Sequence, residues 1–304
     1  MGQTTRVGFI GLGFMGHGMA ANILAKGFPL TVMAHRKREA VDDLVARGAT
    51  EAATPAELAA RSDIVILCVT GVPAVDALVR GEQGIAAGAK PGLIVIDCST
   101  SDPTNLLALA EQFAPRGIEF VDAPLGRTPE EAWKGQLAVM VGADAAMLER
   151  IRPLLEAFAS TILPAGALGN GHKLKLINNF VALGCAALYA EGLILSHKAG
   201  LSTRTFDELI RSSRVDCALF HTFMGWALDG NKDSHKFSLQ NCLKDTTYAK
   251  EFSTSLGLPG PLAAAVQAVY AQAIAAGYGG ANLPELPRST AAAAGVPLVP
   301  ANQA

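Results

Sequence analysis

Charge is scarce in this chain. Only 17% of its 304 residues are Asp, Glu, Lys or Arg, and 25 basic against 27 acidic side chains leave a formal net charge of −2. With no basic excess and no long run of one sign, the electrostatic footprint of a nucleic-acid-binding or membrane-surface protein is missing. Small partners are expected instead. The cysteines, Cys68, Cys98, Cys185, Cys217 and Cys242, are odd in number, scattered and never paired as CxxC. That excludes a disulfide framework and reads as buried thiols in a reducing cytosol. Nor do the six histidines show metal-ligand spacing, so no metal is expected. The start, MGQTTRVGFIGLG, lacks the basic beginning and small-residue cleavage site of a signal peptide, which gives a cytoplasmic expectation. The longest apolar segment, residues 176–195, contains Asn178, Asn179 and Glu191. These would be costly in lipid, so a core helix is expected rather than a membrane span.

What is present is apolar surface, half of the residues, in a chain longer than one domain usually is. Two domains follow as the prior. In the first, short apolar runs at 5–10, 30–34, 63–69, 93–99 and 118–124 alternate with helical stretches. Thr54 and Glu57 have capping-box spacing, with Pro55 at the first helical position. Buried strands separated by helices predict a doubly wound parallel sheet, an α/β Rossmann domain over residues 1–168. From about residue 170 the periodicity is helical almost throughout, so residues 169–304 are expected to form an all-α domain. A long interdomain helix beginning in GHKLKLINNF would join the two, and clefts between domains are where ligand sites tend to lie. No internal repeat is visible.

Gly11, Gly13 and Gly16 match G-x-G-x-x-G with a strand before and a helix after. The first glycine permits the tight turn, the second lets a pyrophosphate approach the backbone, and the third lets helix and sheet pack closely. Gly11, Leu12, Gly13, Phe14, Met15 and Gly16 are therefore candidate cofactor-binding residues. An NAD site usually places a carboxylate about 20 residues beyond such a turn, yet residues 30–38, LTVMAHRKR, contain no acid. His35, Arg36 and Arg38, with Lys37 between the arginines, stand there instead. Arg clamps a 2′-phosphate bidentately, so NADP(H) is favoured. A solvated basic loop beside a neutral site keeps NAD(H) as the alternative.

Lys175, Asn178 and Asn179 fall at i, i+3 and i+4 and share one helix face. An acid and amide donors together suit the reduction of a carbonyl, whose oxygen gains negative charge as hydride arrives. The bland alternative is a lysine snorkelling from the core beside two capping asparagines.

Three stretches together, GFIGLGFMGHGMAANILAKG, FVDAPLGRTPEEAWKGQLAVMVGAD and GNGHKLKLINN with the later FSLQNCLKD, resemble the β-hydroxyacid dehydrogenase family in order and spacing over nearly the whole chain. That family includes 3-hydroxyisobutyrate dehydrogenase and tartronate semialdehyde reductase. The resemblance implies that Lys175 is catalytic and that Asn179 orients the substrate, with Asn178 beside it. It also implies that Val69, Thr70 and Thr100 lie near the nicotinamide, that Lys244 reaches the same site, and that the chain forms homodimers or homotetramers; a surface Lys244 paired with Asp245 or Glu251 is the structural alternative. Where the family usually has D-A-P-V-S-G-G, this chain has Asp122 to Thr128 reading DAPLGRT. Gly126, Arg127 and Thr128 are similar to the loop of the 3-sulfolactaldehyde reductase branch, and a fixed cation suits a three-oxygen anion. Arg127 paired with Glu130 or Glu131 on the surface is the structural alternative. The implied function is NAD(P)H-dependent, reversible reduction of a short anionic aldehyde. An imine reductase-like enzyme and a non-catalytic NADP-binding interaction module are the competing classes, both disfavoured by the lysine at 175.

Overall fold

The structure, a computed structural model, describes residues 4–303 and divides after Lys175 into two compact units. The first unit holds one nine-stranded sheet: β1 (Val7–Ile10), β2 (Leu30–Val32), β3 (Thr50–Glu51), β4 (Ile64–Leu67), β5 (Ile94–Asp97), β6 (Glu119–Asp122), β7 (Leu125–Gly126), β8 (Leu137–Gly142) and β9 (Ala159–Gly166). Its order is β3-β2-β1-β4-β5-β6-β8-β7, with β9 paired to β8. The strands β1 to β6 pair in parallel, so the order reverses at β1, which lies between β2 and β4. Such a reversal opens a crevice at the carboxyl ends of the strands.

Residues of the central strands are buried on both faces, and they sort by parity. Val7, Phe9, Ile64, Ile66, Ile94 and Ile96 enter one core. Ile10, Val65, Leu67 and Val95 enter the other. The period of two along each strand and the helices on both faces explain why these segments read as continuous apolar runs. Each fully buried Ile, Leu or Phe contributes roughly 1.5–3 kcal/mol relative to exposure.

All five expected strands are present, trimmed at their ends, and the sheet continues beyond them. β8 runs antiparallel to β6 and β7, and β9 returns parallel to β8, so the sheet is predominantly but not wholly parallel. β9 contains Pro164 and is mostly exposed, as fits a strand paired on one side only. The capping box at Thr54 forms with one change. Thr54 Oγ1 accepts the Glu57 N–H at 3.1 Å, but Glu57 reaches back to the N–H of Ala53, not Thr54. Asp102, Asp144, Ser202 and Ser238 cap later helices in the usual way, each accepting an N–H two or three residues on.

The second unit is helical. Its core gathers Leu183, Ala186, Tyr189, Ala190 and Leu193 of the long helix Asn170–Lys198 around Phe220, Phe223, Met224 and Tyr270. Tyr270 is fully buried, and its hydroxyl donates to the Leu183 carbonyl at 2.8 Å. By length and composition alone the Asn170–Lys198 helix could cross a membrane. One side of it is instead built into this core, while Val181, Leu188 and Leu195, seven residues apart, are exposed.

Gly8 in β1 illustrates how tightly the first unit is packed. A Cβ there would lie 2.2 Å from Leu58 Cδ2 and 2.6 Å from Ser62 Oγ. Gly8→Ala should cost roughly 1–3 kcal/mol by overpacking, and Leu58→Ala about 2–5 kcal/mol by leaving a cavity. Because the methyl of the first fills space vacated by the second, the double variant should lose clearly less than the sum, as read from urea unfolding. Simple additivity would show that the two side chains do not share that space.

Candidate active site

The turn after β1 carries the glycines in three different settings. Gly11 has φ +104°, and a Cβ on it would lie 2.2 Å from the Cys68 carbonyl oxygen. Gly16 opens the helix Gly16–Ala25 with its Cα against the turn, where a Cβ would meet the Gly11 oxygen at 2.0 Å. Gly13 is exposed and would meet nothing within 4 Å. The outer two glycines are therefore needed by the fold, while the middle one leaves open space at a helix N-terminus. That is the arrangement a pyrophosphate needs, and no acidic side chain stands in the helix's first turn to repel one. Phe14 is 75% exposed, and Leu12 and Met15 are half-buried.

His35, Arg36 and Lys37 follow β2 as an exposed loop. Arg38 is otherwise engaged. It spans Glu51 and Asp42 with three hydrogen bonds of 3.0 Å. Among the sequence-predicted phosphate contacts, Arg36 and His35 are thus placed on the open loop, and Arg38 is turned to two carboxylates. Val69 and Thr70 follow β4, where the Val69 N–H donates to Ser99 Oγ at 3.1 Å; Thr100 follows β5 and is half-buried.

The carboxyl ends of β5 and β6 carry two buried acids that lie within the sequence motifs but are not singled out by them. Asp97 and Asp122 are register partners on neighbouring strands, each 1% exposed or less. Asp122 Oδ1 accepts the Gly169 N–H at 2.8 Å and Oδ2 accepts the His172 N–H at 2.7 Å. Asp97 Oδ1 accepts the Ser99 N–H at 2.9 Å, and its Oδ2 lies 3.3 Å from Nε2 of the wholly buried His172 ring. That approach is an ion-pair distance without hydrogen-bond geometry. Burial alone pushes both carboxyls up. The His172 ring and the Ser99 donors outweigh it at Asp97, which is held below the usual carboxylate range. At Asp122 burial prevails, and its carboxyl is raised despite His172 and the backbone donors. One signal for them is legible: IVID and EFVD both close an apolar strand with an aspartate.

Lys175 follows one turn after His172 on the Asn170–Lys198 helix and is half-buried. In the second unit Asn179 is 7% exposed, and its Nδ2 donates to Asp245 Oδ2 at 2.7 Å. Asn178 is exposed and donates to Asn179 Oδ1 at 3.2 Å. Lys244 forms an ion pair of 2.7 Å with Asp245 Oδ1 and lies over the Tyr248 ring, 5.2 Å from its centroid. Asp245 thus links Lys244 and Asn179. A groove of about 780 Å³ in this unit is lined by Leu188, Leu195, Val269 and Ala276 among others and contains none of these polar residues.

Gly126 ends β7, and Arg127 adopts φ +77°, the one non-glycine residue with positive φ among the described residues. The Arg127 side chain does not pair with Glu130 or Glu131. It donates to the Gln136 carbonyl, to Ser160 Oγ at 2.9 Å and to Thr161 Oγ1 at 3.2 Å. Thr128 caps the helix Pro129–Trp133 in a capping box with Glu131, whose carboxylate accepts both the Thr128 N–H at 3.0 Å and its hydroxyl at 2.5 Å.

Known proteins share both units. Residues 6–166 match the NAD-binding domain of 6-phosphogluconate dehydrogenase, and residues 169–288 match the NAD-binding domain of NADP-dependent 3-hydroxyisobutyrate dehydrogenase. The chain belongs to the β-hydroxyacid dehydrogenase family. It is 35% identical to 3-sulfolactaldehyde reductase of Escherichia coli (strain K12) over 90% of this chain and 91% of that one. It is 33% identical to 2-(hydroxymethyl)glutarate dehydrogenase of Eubacterium barkeri over 92% of each. The solved structure of 3-hydroxyisobutyrate dehydrogenase from Mycobacterium tuberculosis with L-serine superposes with a TM-score of 0.83 at 28% identity, covering 95% of this chain and 99% of that one. The protein is accordingly an NAD(P)-dependent oxidoreductase.

Proposed function

We propose that this enzyme reduces a short anionic aldehyde, a semialdehyde or 3-sulfolactaldehyde, to the β-hydroxy acid, reversibly and with Lys175 as the proton donor. The observation that carries the reading is the half-buried lysine one turn past the helix start, with the asparagines i+3 and i+4 on the same helix. NADPH held at the Gly11–Gly16 turn and the His35–Lys37 loop would supply the hydride for the carbonyl carbon. Lys175 gives its proton to the carbonyl oxygen as negative charge develops there, which balances the conversion of aldehyde to alcohol. Asn179 keeps one amide hydrogen for that oxygen, because the other goes to Asp245 and the amide oxygen accepts from Asn178. Asp245, ion-paired with Lys244, fixes the Asn179 amide in that orientation. The likeness to a sulfolactaldehyde reductase and the Gly126-Arg127-Thr128 loop support an anionic substrate. The acid-free loop at His35–Lys37 supports NADPH over NADH.

Lys175→Ala should lower kcat by about 10²–10⁴-fold in steady-state assays while cofactor titration still shows binding. Lys175→Arg should not restore turnover, since a guanidinium holds its proton too firmly. Near-normal kcat in the Ala variant would assign the lysine to snorkelling.

Arg36 is the expected 2′-phosphate contact, Arg38 being held by Glu51 and Asp42. Wild type should favour NADPH over NADH by roughly tenfold or more in kcat/KM. Arg36→Ala should raise KM for NADPH and leave NADH nearly unchanged. Equal use of both cofactors by the wild-type enzyme would overturn the preference.

A panel of semialdehydes including sulfolactaldehyde, assayed against neutral aldehydes of equal length, tests the substrate class. Losing the anion should depress kcat/KM by roughly 10²-fold, because remote binding energy positions the reacting carbon. Arg127→Ala should reproduce most of that loss on the anionic substrate only. Equal harm to both substrates would make Arg127 a structural tie to Gln136, Ser160 and Thr161.

A further inference from the structure

We infer that Asp122 is a positioning residue for Lys175: fixed at the end of β6, its carboxylate sets where the first turn of the Asn170–Lys198 helix begins, and so where the lysine one turn further on stands. The inference rests on the reading of Lys175 as proton donor.

A helix start leaves backbone N–H groups without intrahelical partners, and a side chain just before the helix normally satisfies some of them. Here that place is taken by Gly169, at φ +88°, which has no side chain to offer. Asp122 supplies both oxygens from a distant strand, one to the Gly169 N–H and one to the His172 N–H. These are the donors that a local cap and its partner would satisfy, but the acceptor belongs to the sheet. Two bonds from one carboxylate restrain the first turn in both translation and rotation.

The surroundings keep that carboxylate in place. Gly142 lies opposite Asp122 in the β6–β8 pairing, and a Cβ there would be 2.0 Å from Oδ1. A Cβ on Gly171 would be 2.8 Å from Oδ2 and 2.2 Å from the Met140 oxygen. Neither glycine has a positive φ, so each provides room, not an unusual backbone. A second restraint acts on the same turn, where the buried ring of His172 lies beside Asp97 of β5. Two adjacent strands thereby hold one helical turn, and Lys175 is the next residue on that face, three positions after His172.

The experiment is Asp122→Asn in the full-length enzyme, which keeps the size but turns one acceptor into an NH₂ group facing an N–H donor. Steady-state kinetics should show kcat reduced about 10- to 100-fold, as a small misplacement of a reacting group does, with KM for NADPH within about threefold of wild type. Hydrogen exchange over residues 169–175 should be about tenfold faster. Gly142→Ala, which crowds the carboxylate without removing it, should give the same split between kcat and KM and carries the test if the Asn variant does not fold. Faster exchange with kcat unchanged would make Asp122 a stabilising cap only and overturn the inference. Unchanged exchange would overturn the restraint itself. Lys175→Ala, assayed in parallel, separates the premise from the inference: full turnover in that variant removes Lys175 as the donor, while the exchange rates still decide whether Asp122 holds the turn.

Discussion

A buried carboxylate facing two backbone amides ties the sheet of the first unit to the start of the helix that carries Lys175. Asp122 lies on a strand, yet its partners are Gly169 and His172, the start of the helix that carries Lys175. Burying an ionised group is costly unless donors replace the water it gives up. The two N–H groups and the positive end of a helix provide that replacement, and such helix-end charge interactions reach about 2 kcal/mol in partly buried settings. The cost is not fully offset, since burial still raises the Asp122 carboxyl. Its neighbour Asp97, with Ser99 and His172 beside it, is held low. Two like side chains at the same level of the sheet thus differ because their donors differ.

The glycine turn is tied to the 126–128 loop through packing. Gly18, on the helix that follows the turn, has no room for a Cβ because the Ala132–Trp133 backbone lies against it. Asn22 on the same helix donates to the Ala132 and Trp133 carbonyls at 2.9 and 3.1 Å. The short helix Pro129–Trp133, which begins at the Thr128 capping box, is therefore docked on the helix Gly16–Ala25. A change in the Arg127–Thr128 stretch and a change at the glycine turn act on one packed assembly. In the second unit Asp245 has the comparable place, joining Lys244 and Asn179 through a single carboxylate.

Much of the fold is legible in the chain itself. Buried parallel strands announce themselves as short apolar runs, because both faces are covered. The glycine spacing identifies the turn, since Gly11 and Gly16 have no room for a side chain and Gly13 faces open space. β8 carries such a run, LAVMVG, and β9 does not. LAVMVG stands inside a longer motif, and β9, with Pro164 and largely exposed residues, lacks the apolar run that marks a central strand.

The sequence by itself determined the local matters: which segments are strands of the parallel core, that a helix begins at Pro55, which turn suits a dinucleotide, and that Lys175 and Asn179 stand one turn apart on a helix. These depend on residues a few positions apart, whose geometry the backbone period dictates. Tertiary structure decided the partners. That Arg38 is turned to Glu51 and Asp42, that Arg127 reaches Ser160 and Thr161, and that Asp122 caps a helix 47 residues further on are choices among many acids and donors. Charge and hydrogen bonding act through space over a few ångströms, and only the folded chain says which groups come that close.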